Sequence, residues 1–319
     1  MLPSLEEIEH TVPALRGLSQ TLHDASLGVV KRLKRQRGVA VWAMMSSLLP
    51  MGLSLMLMAD EKNLPPEFVS LSVAGTALAL GMFGFGWVRL LDSKRQAKIT
   101  LATSVCAVFG YDYREKPSTS LSHKFARLGL AARYEGRLVE DEISGTIDGR
   151  RFVVQENLIA DMKFSPLYAR VPFRRTSDVF HGLIGVVDYH HPMTATTIVS
   201  FRKNRLERWT EQPFDGELME THDPDFDAVF EVHSTSLPEA RRILSPAWRR
   251  GLLALNDKFN TPLAFAFQDA AVWFTVHRQN QWMEMRTSGA SASFETYTVQ
   301  MVLDILRFQN LIQTLPLSE

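Results

Sequence analysis

Two apolar stretches near the start of the chain, VAVWAMMSSLLPMGLSLMLMA (residues 39–59) and FVSLSVAGTALALGMFGFGWV (residues 68–88), decide how the rest of the sequence folds. Each is 21 residues long and contains no Asp, Glu, Lys, Arg or His. A helix rises about 1.5 Å per residue, so each stretch reaches roughly 31 Å, close to the ~30 Å thickness of a bilayer's hydrocarbon core. A buried helix of a soluble domain normally carries a polar stripe, which both stretches lack. The pattern predicts a transmembrane hairpin, with Trp42 and Trp87 as membrane-interface anchors.

The charges that flank the hairpin predict its orientation. Basic residues precede the first span and follow the second, whereas the connecting loop at 60–67 carries three acids and one lysine. Because basic flanks stay on the cytoplasmic side, both termini are expected in the cytoplasm. The first stretch begins too late and is too long for a cleaved signal peptide, so we expect an uncleaved, multi-pass anchor in the inner (cytoplasmic) membrane.

The hairpin divides the chain into three predicted parts: a cytoplasmic arm at 1–38, the hairpin at 39–91 and a cytoplasmic domain at 92–319. In the arm, an amphipathic helix is predicted from apolar residues that recur at three and four, namely Leu15, Leu18, Leu22, Ala25 and Val29. It ends in the basic cluster KRLKRQR at 31–37. This cluster either binds the anionic inner leaflet or only sets the topology, and the sequence leaves both interpretations open.

Small residues in the second span predict how it packs. Ala77, Gly81 and Gly84 recur at spacings of four and three, and Gly75 and Ala79 form a neighbouring pair. Such stripes let helix backbones approach closely, so we expect them to hold the second span against the first, and they are compatible with a homo-oligomer through the hairpin. Because neither span carries an ionisable residue, a channel or transport accessory is disfavoured.

The remaining residues predict an α+β domain. Predicted helices cover 94–109, 121–132, 238–244, 246–259 and 294–315, and predicted strands cover 143–147, 151–155, 179–189, 194–201, 230–234, 263–267 and 272–277. Turns are predicted at Asp148 and Gly149, at His191 and Pro192, and at Gln268 and Asp269. Strands interrupted by pairs of helices, without regular βαβ alternation, indicate a mostly antiparallel sheet with packed helices.

Composition and motifs exclude several classes of function. The 35 basic and 35 acidic residues give a net charge of zero, which argues against nucleic-acid binding. The single cysteine, Cys106, cannot form an internal disulfide or a cysteine cluster, and its apolar neighbours predict a packed thiol. The sequence contains no nucleophile elbow, phosphate-binding loop, HExxH motif or dinucleotide-binding fingerprint. No catalytic residue, metal or cofactor is therefore predicted.

Two groups of residues are the strongest candidates for a site. Asp188 and His190 would share one face of a strand, but they supply only two of the three or four ligands that a zinc site needs, so solvated loop histidines are the preferred interpretation. Two arginine pairs are candidates for contacts with a partner or with anionic lipid headgroups: Arg174 with Arg175, and Arg241 with Arg242.

Three segments resemble a known family. They are YEGRLVEDEISGTIDG at 134–149, VFHGLIGVVDY at 179–189 and, most specifically, DPDFDAVFEVHSTSLPEARRILSPAWRRGLLAL at 223–255. Together with the paired spans, they resemble the bacterial domain-of-unknown-function family 3137. The resemblance implies a membrane-anchored bacterial protein with a cytoplasmic C-terminal domain, and it supplies no catalytic residues.

Two hypotheses for the function follow. The leading one is a membrane-anchored cytoplasmic binding or scaffold domain that acts through a protein or lipid partner, and the absence of catalytic motifs favours it. The alternative is a membrane-tethered hydrolase or metal-dependent enzyme that uses the region of Asp188 and His190. A fold class alone does not decide between them.

Overall fold

The computed structural model describes residues 7–8, 10, 18–59, 66–117, 121–130, 136–164, 173–202, 214–277 and 294–315. The chain divides into two compact units. The hairpin unit is Pro3–Ser104, and the sheet unit runs from Val105 to Glu319 and includes Met1–Leu2.

Three helices form the described part of the hairpin unit: α1 (Leu18–Ser46), α2 (Leu48–Ala59) and α3 (Pro66–Val108), whose last residues belong to the sheet unit. The interruption at Ser47 has a local cause, because Pro50 has no N–H to donate to the carbonyl one turn earlier. Two segments are long and apolar enough to cross a membrane, Lys34–Met56 and Val69–Val108. Both of the predicted spans are therefore present as candidate membrane helices.

Small side chains bring the helices of the hairpin unit together. A methyl group added at Gly86 would lie 2.6 Å from the carbonyl oxygen of Ala40, and one added at Gly75 would lie 2.5 Å from Oγ of Ser54. Between these two contacts Ala79 is buried, and the Ser72 hydroxyl donates a hydrogen bond to the carbonyl oxygen of Ser54 at 3.0 Å. Gly75 and Ala79 thus lie on the packed face of α3.

The predicted packing role of the other small-residue stripe is corrected by the structure. Ala77, Gly81 and Gly84 lie on the exposed side of α3, and a methyl group added at Gly81 or Gly84 meets nothing within 4 Å. Successive residues are about 100° apart around a helix, so a stripe that begins two residues further on faces away from the contact. These three residues therefore do not hold α3 against the helices that precede it within the described part of the hairpin unit.

Seven strands form one sheet in the described part of the sheet unit, in the order β1-β2-β3-β4-β6-β5, with β7 paired to β4. The strands are β1 (Asp112–Arg114), β2 (Gly136–Ile147), β3 (Arg150–Phe164), β4 (Phe173–Phe201), β5 (Glu217–Met219), β6 (Phe230–Ser234) and β7 (Leu263–His277). Every pairing is antiparallel. The prediction of an α+β fold with an antiparallel sheet is confirmed.

The predicted hairpin at Asp148 and Gly149 is confirmed, with longer strands than expected. Both residues have positive φ, 49° and 79°, as a two-residue turn between antiparallel strands requires. Two other predicted turns are wrong. The chain continues through His191 and Pro192 within β4, and through Gln268 and Asp269 within β7.

Five helices complete the described sheet unit: α4 (Ser122–Arg127), α5 (Pro224–Val229), α6 (Leu237–Ile243), α7 (Pro246–Phe259) and α8 (Phe294–Thr314). The predicted helix at 121–132 is shorter than expected, because Leu128 caps α4. The starts of α7 and α8 agree with the prediction. The sequence also predicts that residues 282–285 extend the sheet, and these residues lie outside the described part of the chain.

Helices cover both faces of the sheet. Phe308 of α8 contacts Phe152 of β3. Phe152 is paired with Val187 of β4, so both point to the same face of the sheet, and α8 covers that face. Phe125 of α4 packs with Ile184 of β4. Ile184 and Val187 are three residues apart on one strand, and therefore point to opposite faces. The core thus has two layers, one on each side of β3 and β4.

Candidate interaction surface

The middle of β4 departs from regular pairing. Its register with β7 shifts between Asp188 and Met193 and again between Met193 and Thr197. Opposite it, Met193 pairs with Asp269, which has a φ of 60°. Because irregular residues stand opposite each other on two paired strands, the strands bend together without reversing.

A carboxylate from α6 satisfies the backbone of this bend. Glu239 accepts hydrogen bonds from the Thr194 amide at 3.1 Å, the Thr194 hydroxyl at 3.0 Å and the Ala195 amide at 2.9 Å. Its side chain is only 10% exposed. A carboxylate is acceptor-only and can take several donors, so one residue fixes two consecutive amides that the bend leaves outside the ladder.

Aromatic rings support the bend from below. Tyr189 is buried and meets Trp248 of α7 edge-on at 6.4 Å, and Trp248 in turn meets Phe267 of β7 edge-on at 5.0 Å. The ring of His191 lies 5.5 Å from that of Tyr189, while His190, His191 and Pro192 are exposed. The exposed bend therefore packs on a buried aromatic cluster.

One arginine of α6 lies beside the bend. Nη2 of Arg242 lies 3.5 Å from Oε1 of Glu239, and the Arg242 side chain is 71% exposed. Arg241 is also exposed, but it is two residues from Glu239, about 200° around the helix, and therefore lies on another side of α6. We call the group formed by His190, His191, Thr194 and Arg242 the bend surface. It carries one permanent positive charge and two imidazoles beside the backbone that Glu239 holds, an arrangement that suits an anionic group on a partner.

The two predicted metal candidates have different surroundings. Asp188 accepts a hydrogen bond from Nε of Arg151 at 3.0 Å, and the side chains of Arg151 and Asp188 are 84% and 45% exposed. His190 points to solvent as an exposed residue of the bend. Among the residues that the structure describes, no group of three His, Cys, Asp or Glu side chains has a geometry that could hold a metal ion.

The other arginine pair lies on the first half of β4. Arg174 pairs with Lys163 and Arg175 with Met162 across the ladder to β3. Their side chains lie outside the described part of the structure, so their contact with a partner or lipid stays a prediction.

Polar contacts explain several residues of segment 223–255, the segment that resembles the family most specifically. Asp223 accepts from the Phe226 amide at the start of α5 and forms an ion pair with Nε of Arg249 at 3.2 Å. Nη1 of Arg249 donates to the carbonyl oxygen of Thr221 at 2.9 Å, and the Thr221 hydroxyl donates to Asp227 at 2.7 Å. These residues therefore cap and clamp α5 against α7, which is a structural role.

A polar group inside the sheet is the feature that sequence reasoning missed. Asp141 is the extra residue of a bulge in β2, with a φ of 36°, and the Tyr113 hydroxyl donates to its Oδ1 at 2.5 Å. Burial raises the pKa of Tyr113 well above its usual range, and the charge of Asp141 and the hydrogen bond to it act in the same direction. Tyr113 therefore stays protonated and acts as a donor. The acidic run at 140–142 was the only sequence signal for this group.

A buried amide links this group to α4. Nε2 of Gln155 donates to Oε2 of Glu142 at 2.6 Å, and Oε1 of Gln155 accepts from the Leu121 amide at 3.0 Å. Gln155 is completely buried, so its amide has two described partners where water cannot reach. The arrangement positions the segment that leads into α4 and has the geometry of a structural network.

Cys106 is completely buried, as its apolar neighbours predicted. A buried thiol has no access to a substrate in solution, and its reactivity is suppressed in apolar surroundings. The packed interpretation of this cysteine is confirmed.

Comparisons with known proteins give a partial match to one family and no activity. Residues 178–317 match the family described as "Protein of unknown function (DUF3137)". No curated protein matches the chain. The crystal structure of the mycobacterial trehalose monomycolate transport factor A, TtfA, is similar at 11% sequence identity and a TM-score of 0.34, over 68% of this chain and 96% of that one. Residues 178–317, which include the bend surface, thus match the same family that the sequence resembles.

Proposed function

We propose that the protein is a membrane-anchored binding or scaffold protein. The hairpin unit crosses the inner membrane twice, and the sheet unit lies in the cytoplasm, where its bend surface binds an anionic segment of a protein partner. The observation that carries the proposal is the bend surface itself: an exposed arginine and two exposed histidines beside a backbone that Glu239 hydrogen-bonds and Trp248 supports.

Exposed apolar residues support the membrane anchor. In the described part of the chain, the large apolar residues with high exposure all lie from Val39 to Leu91, apart from Leu218. Soluble proteins rarely expose a continuous apolar surface of this extent, because it is costly in water. In the hydrocarbon core of a bilayer the same side chains are favourably placed.

The geometry of the bend supports binding rather than catalysis. Asp188, the acid of the alternative enzymatic hypothesis, forms an ion pair with Arg151. Tyr113 is buried, and its raised pKa keeps the hydroxyl protonated at neutral pH, so it cannot accept a proton from a substrate. The exposed groups of the bend surface are those that recognise a carboxylate or phosphate on a macromolecule.

Site-specific crosslinking tests the proposal. A photoreactive amino acid at position 190 should trap a discrete protein partner in cells, and Arg242→Ala should abolish the adduct. The matched control is Arg241→Ala, which removes an exposed cation from another side of the same helix and should keep the adduct. An adduct that survives Arg242→Ala, or one that is lost equally in both variants, would contradict the assignment of this surface.

A further inference from the structure

The hairpin unit carries a second charged surface, at one level along its helices. Gly86 of α3 lies directly beside Ala40 of α1, because a methyl group added at Gly86 would lie only 2.6 Å from the Ala40 carbonyl oxygen. Trp42 and Trp87 are two residues and one residue from this contact, and they are 71% and 51% exposed. Both indole rings therefore lie at the same level of the hairpin unit.

Basic side chains follow on one side of that level. On α1, the cations precede Ala40 by three to nine residues, which is about 5–14 Å along the helix. On α3, Arg89 follows Gly86 by three residues, which is about 5 Å. We call this set of exposed cations the basic collar: Lys31, Lys34, Arg35, Arg37 and Arg89. Within the described ranges, none of the ion pairs involves a member of the collar.

Apolar side chains lie on the other side of the same level. They are exposed and come from both helices: Met45, Leu48 and Leu49 after Trp42, and Leu78, Leu80 and Phe83 before Trp87. The order along the hairpin unit is therefore cations, indoles and apolar side chains. An anionic phospholipid has a complementary order along its length: a charged headgroup, an interfacial region and an acyl chain.

We propose that the basic collar binds the headgroups of anionic phospholipids, of the phosphatidylglycerol type, while their acyl chains lie on the adjoining apolar surface. The inference rests on the proposed membrane insertion of the hairpin unit. A basic flank that only sets topology needs no lipid preference after insertion. The collar instead brings cations from two helices to the side of the hairpin unit that adjoins both indoles, where headgroups would lie.

Quenching of tryptophan fluorescence by brominated lipids tests the proposal in the full-length protein. The protein is placed in nanodiscs of phosphatidylcholine that contain a small fraction of either brominated phosphatidylglycerol or brominated phosphatidylcholine. The chain has six tryptophans, so the contribution of Trp42 and Trp87 has to be isolated. It is the difference in quenching between the wild-type protein and a Trp42→Phe, Trp87→Phe variant. Brominated phosphatidylglycerol should associate about fivefold more strongly than brominated phosphatidylcholine, as a headgroup gains from the collar's charge.

Two charge variants separate the collar from net charge. Replacing all five collar residues with Gln should bring the two lipids to equal quenching, and quenching by brominated phosphatidylcholine should persist because the hairpin stays inserted. The control replaces five exposed cations of the sheet unit with Gln and should keep the preference: Lys116, Arg127, Arg241, Arg242 and Arg250.

Each contrary result has its own meaning. Equal quenching of the wild-type protein by the two lipids would overturn the lipid site while leaving the membrane anchor intact. If neither brominated lipid quenched Trp42 and Trp87, both this inference and the proposed function would be overturned. A preference that free inorganic phosphate removes, while chloride at equal ionic strength does not, would assign the collar to a soluble anion and overturn the lipid site.

Discussion

Tyr111 and Tyr113 connect the end of α3 to the sheet through two different contacts. The Tyr111 ring meets Phe152 edge-on at 5.0 Å and lies 6.0 Å from Phe308, so it is enclosed between β3 and α8. Tyr113 instead uses its hydroxyl, which donates to Asp141. Edge strand β1 is thereby fixed by one apolar and one polar anchor only two residues apart.

These tyrosines predict a loss of stability at alkaline pH. Burial, followed by the charges of Asp148 and Cys106, raises the pKa of Tyr111 to about 12, and Tyr113 is shifted in the same direction. Below pH ~10 both hydroxyls are protonated in the folded and the unfolded chain, so their contribution is fully present. Above pH ~10 the unfolded chain ionises first, and the free energy of unfolding should fall as pH rises towards about 12.

Denaturant titrations of the full-length protein between about pH 9 and pH 11 measure this slope. A Tyr111→Phe, Tyr113→Phe variant should show a shallower decline, since it has lost the two titrating groups. An unchanged slope in that variant would mean that other residues cause the alkaline unfolding.

Glu239 predicts the cost of losing a single carboxylate. Glu239→Ala removes the acceptor of three hydrogen bonds at the bend and should destabilise the sheet unit by about 1–3 kcal/mol. Arg242→Ala removes only a largely exposed ion pair and should cost less than about 0.5 kcal/mol. The free energies of unfolding of the two variants provide the check. Equal costs would show that the bend does not depend on the carboxylate.

At the scale of the elements, local caps determined which segments the sequence could predict. Strand β6 and helix α7 have the predicted bounds. Ser245 and Pro246 start α7, with the Ser245 hydroxyl accepting from the Trp248 amide, and Asn260 ends it with a φ of 47°. Such signals lie within a few residues of the boundary that they define, and therefore can be read from the sequence.

The bend was missed for the opposite reason. His191 with Pro192, and Gln268 with Asp269, have the residue types of turns. They lie in paired strands next to the Met193–Asp269 register position, and Glu239, more than forty residues along the chain from Thr194, supplies the acceptor that the bend needs. No local pattern carries that contact. Arg242 of the bend surface could be predicted as a candidate, but the shape of the surface depends on this long-range hydrogen bonding.

Helix α7 predicts a contrast between two identical substitutions. Leu252 is completely buried, so Leu252→Ala should destabilise the protein by about 2–5 kcal/mol. Leu218 of β5 is 58% exposed, so Leu218→Ala should change the free energy of unfolding by less than about 0.5 kcal/mol. Chemical denaturation measures both values. Similar costs for the two variants would contradict the packing of α7 on the sheet.

Helix α3 predicts a second contrast, between two glycines. A methyl group at Gly86 would collide with the Ala40 carbonyl, whereas one at Gly81 meets nothing within 4 Å. Gly86→Ala should therefore push the helices apart and reduce disulfide crosslinking between cysteines introduced at Ser47 and Ala79, two buried positions of the contact. Gly81→Ala should leave the crosslinking unchanged. Equal crosslinking in the two variants would contradict the packing within the hairpin unit.

At the scale of the whole molecule, the proposed function divides between the two units. The hairpin unit supplies apolar exposure, paired indoles and the basic collar, and the sheet unit supplies a bend surface with its own fixed base. Fold and family alone do not determine an activity. The function of the protein then depends on which side of the membrane the bend surface faces.

Labelling of introduced cysteines in intact cells tests that claim most directly. In a Cys106→Ala background, one cysteine replaces Asn63 in the loop between the spans and another replaces Ala254, an exposed residue of α7. A thiol reagent that cannot cross the cytoplasmic membrane should label position 63 in intact cells, and position 254 only after lysis. Labelling of position 254 in intact cells, with protection of position 63, would contradict the cytoplasmic placement of the sheet unit.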